Sequence, residues 1–219
     1  MSSKRHKGRQ NWPRAAVCRR AKRRLLTQIR LKEARVPMRL ILTFALALFT
    51  FAAVAHAAPP ALDPENTLVM ELKTGKVIIK LRPDLAPKHV ERYKKLTREG
   101  FYNGVVFHRV IAGFMAQTGD PTGTGRGGSK YPNLPAEFTP APFERGTLGA
   151  ARSSSPDSAN SQFFICFTHT PHLNGQYTVW GQVVEGMQHI DNVKKGEPGS
   201  GSVTDPDKII KLTVMADAK

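Results

Sequence analysis

The sequence predicts a mostly β fold, a closed barrel capped at its two ends by two helices. Three observations predict it. Most of the chain from Thr67 onward breaks into short runs that alternate apolar and polar residues, the pattern of a half-buried strand. Only two stretches repeat their apolar residues at helical spacing, one around Val90, Tyr93 and Leu96 and one around Met187 and Ile190. Gly, Pro and Asp cluster between these segments and punctuate them as turns.

Each element follows in order. Thr67–Lys73 and Lys76–Arg82 alternate on either side of Thr74-Gly75, which reads as a hairpin with a two-residue turn. Asp84-Leu85-Ala86-Pro87 opens the first helix, with Pro87 in its first turn, where a missing N–H costs nothing. Gly100 stops it. Strands are expected near 105–111 and 114–118, then a Gly-rich loop over 119–135 leading to Glu137-Phe138. Further strands fall near 146–150, 162–167 and 177–183, and a short helix near 185–194 places Met187 and Ile190 on its buried side. Ile209–Val214 closes the chain as a strand.

The most informative stretch is Phe107–Asp120, FHRVIAGFMAQTGD. It sets one cation, Arg109, among apolar residues, bends at Gly113 and returns through Phe114, Met115 and Gln117. Side chains on a strand alternate faces, so Arg109 is expected to share one with Phe107 and Ile111, and Met115 with Gln117. If the second strand folds back on the first, Arg109, Met115 and Gln117 line one shallow groove. An apolar floor with one guanidinium and one amide suits a neutral peptide better than a metal or a nucleotide. Ser161–Phe167, SQFFICF, is apolar on both faces, with Gln162 and Phe164 pointing the same way. A buried amide among aromatics needs a partner, and a peptide backbone would supply one.

These segments, with GTGRGG at 123–128, GTLGAAR at 146–152 and LNGQYTVWGQVVEGM at 173–187, closely resemble the cyclophilins, the cyclosporin-binding class of peptidyl-prolyl cis–trans isomerases. The resemblance runs from about Glu65 to Ala216. It implies an eight-stranded antiparallel barrel with the substrate groove on its outer face, a proline-containing polypeptide as substrate, and no cofactor. It implies Arg109 as the catalytic residue. It also implies that Phe114, Met115, Phe164 and Leu173 form the proline pocket, that Gln117 holds the substrate backbone, and that Ala151, Arg152 and Gln162 line the neighbouring subsite. His108 borders the groove on the opposite strand parity, which suits a structural role equally well. Two departures bear on inhibitors: His172 stands where well-known eukaryotic members carry a cyclosporin-binding Trp, and Tyr177 where they carry a His in the proline pocket. Arg152 replaces their Asn, and the Ser154–Asn160 loop is one residue longer. These features resemble bacterial members and lead us to expect weak cyclosporin binding. A peptide-holding chaperone with incidental isomerase activity is the alternative reading, and a monomer is expected.

Charge and hydropathy divide the chain. Residues 1–39 hold fourteen of the 33 Lys and Arg and one of the 17 acids, a balance of +13, whereas residues 58–219 hold 19 and 16, a balance of +3. The basicity therefore belongs to the leader, and the folded part has no cationic field that would favour nucleic acid. Leu40–Ala55 is an apolar run behind Arg39, and Ala55-His56-Ala57 supplies a small-x-small site. Residues 38–57 thus read as a signal peptide cleaved near Ala57, with retention as a membrane anchor as the rival. We expect Met38 to be the true start and residues 1–37 to be a basic extension arising from the gene model, the rival being an unusually long n-region. Residues 58–64 form a Pro-rich linker and 65–217 the isomerase domain. The product is expected to be periplasmic or secreted, without membrane contact after cleavage.

Other motifs carry less. Gly123-Thr-Gly125-Arg-Gly127-Gly128 matches a dinucleotide fingerprint in letters, but Lys130-Tyr131-Pro132 follows where a helix is required. His169 and His172 flank Thr170-Pro171 without a nearby acid or thiol, so no metal site is expected. Cys18 lies in the leader, leaving Cys166 alone in the mature chain, where a buried and inert thiol is expected.

Overall fold

The structure, a computed structural model, describes residues 61–218. The basic extension, the signal peptide and linker residues 58–60 lie outside the described residues. Eight strands and two α-helices follow in the order β1 (Thr67–Leu72), β2 (Gly75–Leu81), α1 (Pro87–Arg98), β3 (Arg109–Ile111), β4 (Met115–Thr118), β5 (Thr147–Ala150), β6 (Phe163–Cys166), β7 (Val179–Glu185), α2 (Met187–Asp191) and β8 (Lys211–Val214).

The strands form one antiparallel sheet in the order β3-β4-β6-β5-β7-β2-β1-β8. The expected closure is absent: β3 and β8 are the two edges and do not pair, so the sheet is a curled, open half-barrel. Residues 196–207, GEPGSGSVTDPD, occupy the seam and are too rich in Gly and Pro to sustain a strand. They and their neighbours still satisfy the edge. The Phe107 amide donates to the Asp207 carbonyl at 2.9 Å, the Val110 amide to that of Gly201 at 2.7 Å and the Gly104 amide to that of Ile209 at 2.7 Å. This irregular pairing also explains why the strand expected from residue 105 begins only at Arg109.

The first hairpin has register Leu72↔Gly75, so its two-residue loop is Lys73-Thr74, one position earlier than expected, and Gly75 opens β2. At φ 147° a side chain there would be strained, and a Cβ would collide with the His189 ring on α2.

Helix α1 buries Val90, Tyr93 and Leu96, as its spacing predicts. Pro87 is its first residue, as expected. Asp84 is engaged by Arg82 at 2.7 Å, and Ala86, the residue before the helix, offers no side-chain cap. The capping group comes from outside the helix: the Glu137 carboxylate accepts from the Lys88 amide at 3.1 Å and the His89 amide at 3.0 Å. An anion at the positive end of a helix satisfies free N–H groups and the dipole together. Inside, Tyr93 stacks on Trp180 with centroids 4.0 Å apart and meets Phe163 edge-on at 5.8 Å. Its hydroxyl donates to the Gln162 carbonyl at 3.0 Å, and that of Tyr102 to the Ser161 carbonyl at 3.0 Å. The interior aromatics thereby fix the backbone that leads into β6.

Two apolar clusters lie on the two faces of the sheet. Phe163, Ile165 and Phe167 join the inner one with α1, while Phe164 and Cys166 join a second, with Met115, Phe143, Leu173 and Val179. This is the strict alternation the sequence predicts for SQFFICF.

Candidate functional site

Register alone assembles the groove. Arg109 lies opposite Gln117, Gln117 opposite Phe164, and Phe164 opposite Gly149, so one row crosses four strands. Ile111 pairs with Met115 one step along the same face. Gly149 lacks a side chain where one would drive into the Phe164 and Phe143 rings, which lets the Phe164 ring lie across β5. Phe107 departs from the expected parity. It is fully buried in the inner cluster, because residues 107 and 108 fall outside the regular strand and alternation resumes only at Arg109.

The polar groups form a directed relay. Arg109 donates through Nη1 to Gln117 Oε1 at 3.3 Å, and through Nε to the Ser200 carbonyl at 3.1 Å. Gln117 Nε2 donates to Gln162 Oε1 at 3.0 Å, and Gln162 Nε2 donates to the carbonyls of Gly125 at 3.1 Å and Gly127 at 2.8 Å. A guanidinium only donates and a carbonyl only accepts, so the two ends of the chain fix both amide orientations. The Gly-rich loop at the far end is shaped by Asp120, which accepts from the Thr122 amide at 2.8 Å and the Gly125 amide at 2.6 Å. Burial pushes the Asp120 carboxyl up, but hydrogen bonds from Thr122, Gly127 and Gly125 outweigh it and hold the pKa at about 2.

Beside the relay sits the apolar part. Phe114 and Tyr177 are half-buried against the cluster that contains Met115, Phe164 and Leu173. Tyr177 stands edge-on to Phe164 at 5.5 Å, and Phe143 stacks behind Phe164 at 5.7 Å. His172 lies 5.4 Å from the Phe114 ring. Ala151 packs against the same cluster, and its amide donates to the Gln162 carbonyl at 3.0 Å.

His108 is set apart from this surface. It is 9% exposed and packs under the Gly-rich loop, where a Cβ on Gly125 would come within 3.4 Å of its ring. Burial pushes its pKa down against the pull of Asp120. Cys166 lies behind Met115, opposite it in register. Its thiol is buried beside the Thr170 hydroxyl at 3.4 Å, and burial pushes its pKa up to about 11, which leaves it a poor nucleophile. His169 faces Glu144 at 3.0 Å, and no group of three or more potential metal ligands occurs among the described residues.

Four contributors escaped the sequence reading: Phe143, Gly149, the Ser200 carbonyl and Asp120. Ser200 acts through its backbone, which no residue type announces. Asp120 was visible as the acid that opens the Gly-rich loop, and Gly149 as a glycine inside a strand pattern.

This arrangement joins a donor row to an aromatic pocket. It can bind a neutral amide and polarise one of its atoms. Comparison with known proteins agrees. Residues 67–214 match the family model described as cyclophilin type peptidyl-prolyl cis-trans isomerase/CLD. A Brucella suis protein named as a probable peptidyl-prolyl cis-trans isomerase is 57% identical over 190 residues, covering 80% of this chain and 97% of that one. Peptidyl-prolyl cis-trans isomerase B of Bacillus subtilis is 43% identical over 124 residues, covering 56% and 86%. Among solved structures, a cyclophilin from Hirschia baltica matches with a TM-score of 0.65 at 26% identity, covering 72% of this chain and 77% of that chain. A cyclophilin type isomerase of Cryptosporidium parvum, crystallised in the presence of the dipeptide Ala-Pro, matches with a TM-score of 0.63 at 29% identity, covering 68% and 98%.

Proposed function

The chain belongs to the cyclophilin-type peptidyl-prolyl cis–trans isomerases, and from that premise we propose that Arg109 drives X–Pro bond rotation in exported polypeptides by stabilising the twisted amide. An X–Pro bond isomerises over tens to hundreds of seconds unaided, because rotation breaks amide conjugation. No bond is made or cut, so the protein need only bind the twisted amide better than either planar form. At the twist the prolyl nitrogen becomes pyramidal and gains a lone pair. A guanidinium donor can then hydrogen-bond to an atom that offers nothing comparable in the planar state.

The carrying observation is the relay from Arg109 through Gln117 and Gln162 to the Gly-rich loop. It pins a cation beside an apolar pocket before substrate arrives, which is electrostatic preorganisation. The pocket of Phe114, Met115, Phe164 and Leu173 takes the proline ring, Gln117 takes the substrate backbone, and Ala151, Arg152 and Gln162 line the neighbouring subsite. The Ala-Pro dipeptide of the Cryptosporidium parvum crystal supports a proline-containing polypeptide as the substrate here. An acceleration of about 10⁵-fold would ask the site for about 7 kcal/mol of differential stabilisation. The test is isomerisation of a short X–Pro peptide by the purified chain, and no acceleration by folded protein would end the proposal.

The leader motivates the setting. An n-region, an apolar run and Ala55-His56-Ala57 support export and cleavage near Ala57, giving a periplasmic or secreted enzyme acting on exported clients. N-terminal sequencing of the enzyme from fractionated host cells tests both points. Ala58 at the N-terminus in the periplasmic or external fraction is expected, and an intact leader in the membrane fraction would show an anchor. With His172 beside Phe114 in place of a Trp, cyclosporin should inhibit weakly, and nanomolar inhibition would refute this. We expect the enzyme to act as a monomer, with light scattering as the check.

A further inference from the structure

Arg152 sits at the rim of the apolar pocket, where a cation would be read as a receptor for substrate, yet its hydrogen-bonding edge faces inward. Nε and Nη2 donate to the Gln176 carbonyl at 3.3 and 2.9 Å, and Nη1 donates to the carbonyls of Ser153 at 2.9 Å and Ser154 at 3.3 Å. Four of its five N–H donors are thereby taken. Its guanidinium carbon lies 4.6 Å from the centre of the Tyr177 ring and 5.9 Å from that of Phe138. The segment it holds is part of the pocket. The Gln176 amide donates to the Leu173 carbonyl at 3.0 Å, and Tyr177 stands edge-on to Phe164.

We propose that Arg152 is a positioning residue, a clamp that holds the Leu173–Tyr177 turn and sets the Tyr177 ring as a wall of the proline pocket. This inference rests on the isomerase reading of the groove. The geometry favours a clamp over a substrate receptor for two reasons. A guanidinium bound to neutral carbonyls keeps its charge available to the face of an aromatic ring. Its planar fork also spans two chain segments at once, which a lysine cannot do. Because Tyr177 touches Phe164 and does not bear on the donor row, losing the clamp loosens ground-state and transition-state binding alike. The signature is a rise in KM with kcat nearly unchanged.

The test is a double-mutant cycle in the full chain, Arg152→Gln and Tyr177→Ala separately and together, with kcat and KM measured on one X–Pro peptide. Expected is a KM about fivefold higher for Arg152→Gln with kcat within about twofold, and almost no further change when the substitution is made in the Tyr177→Ala background. An equal rise in both backgrounds would make Arg152 a direct substrate ligand and overturn the proposal, as would an unchanged KM. Nuclear magnetic resonance of ¹³C-labelled tyrosine supplies a readout independent of turnover, since the chain has four tyrosines to resolve. The Tyr177 ring signal should move on Arg152→Gln while the other three stay. If the wild type fails to isomerise the peptide, the isomerase reading fails, and the Tyr177 signal still decides the clamp. If Arg152→Gln folds poorly by circular dichroism, Arg152→Lys, which keeps the charge without the fork, takes its place in the cycle.

Discussion

Replacing Arg109 by alanine separates its proposed catalytic role from its structural one. In the structure its Nε and Nη1 donate to the Ser200 carbonyl and Gln117 Oε1. Both acceptors lie at a half-exposed surface, so water can replace the lost donor and the stability cost should stay below about 1 kcal/mol. For a domain of this size that corresponds to a fall in Tm of roughly 2–4 °C. The effect on rate should be far larger if Arg109 acts as proposed, because the lone pair it would then bind exists only at the twist. Removing one such preorganised donor costs on the order of 10²–10³ in kcat, about 2.7–4 kcal/mol. Arg109→Lys keeps a charge but loses the fork that also holds Gln117, and should fall between the two. The assay is cis-to-trans conversion of an X–Pro peptide at 10 °C, with Tm measured on the same samples. A kcat within about threefold of wild type would refute the reasoning. A large loss of kcat with a Tm drop beyond about 8 °C would show instead that Arg109 holds the groove together.

Three further outcomes are expected. The buried His89–Glu137 contact, 2.6 Å between Nδ1 and Oε2, should make the fold acid-sensitive. Burial pushes the His89 pKa down despite Glu137, and for Glu137 the bonds from His89 and the Lys88 and His89 amides outweigh burial and push its pKa down. With both pKa values lower in the fold, the unfolded chain binds more protons, so stability present at neutral pH is lost as pH falls below about 6.5 and further below about 4.3. Tm should decline over that window, and Glu137→Gln should lower neutral-pH stability by about 1–2 kcal/mol; matching Tm–pH curves for the two proteins would refute the pair's role. Gly149→Ala should destabilise by about 1–3 kcal/mol and raise KM by pushing Phe164 into the pocket, and an unchanged KM would show that the ring has other room. The rate should be nearly flat from about pH 6 to 9, because stabilising a twisted amide moves no proton; a steep bell would transfer the reaction to an imidazole.

Most of the site was legible because its logic is strand parity. Three alternations, Arg109 to Ile111, Met115 to Gln117 and Gln162 to Phe164, put the guanidinium, both amides and the aromatic floor on one face. What escaped depends on contacts distant in sequence or on backbone atoms. The cap of α1 comes from Glu137, fifty residues after the helix begins, so no residue near the helix start announces it. The seam failed to close because residues 196–207 satisfy the edge as irregular chain, and no local pattern distinguishes that from a ladder. Phe107 left its expected face because the strand becomes regular only at Arg109, a boundary set by that same seam.

The one-way relay also limits how this surface can drift. A glutamine codon becomes a glutamate codon by a single base change, and at most exposed sites such a change is harmless. At Gln162 a carboxylate would face the carbonyls of Gly125 and Gly127 with no proton to offer either. At Gln117 it would neutralise the Arg109 charge and set its second oxygen against Gln162 Oε1. Two positions that look replaceable by size and polarity are therefore closed to their nearest mutational neighbour, because a hydrogen-bond chain anchored at both ends tolerates no reversal of sign along it.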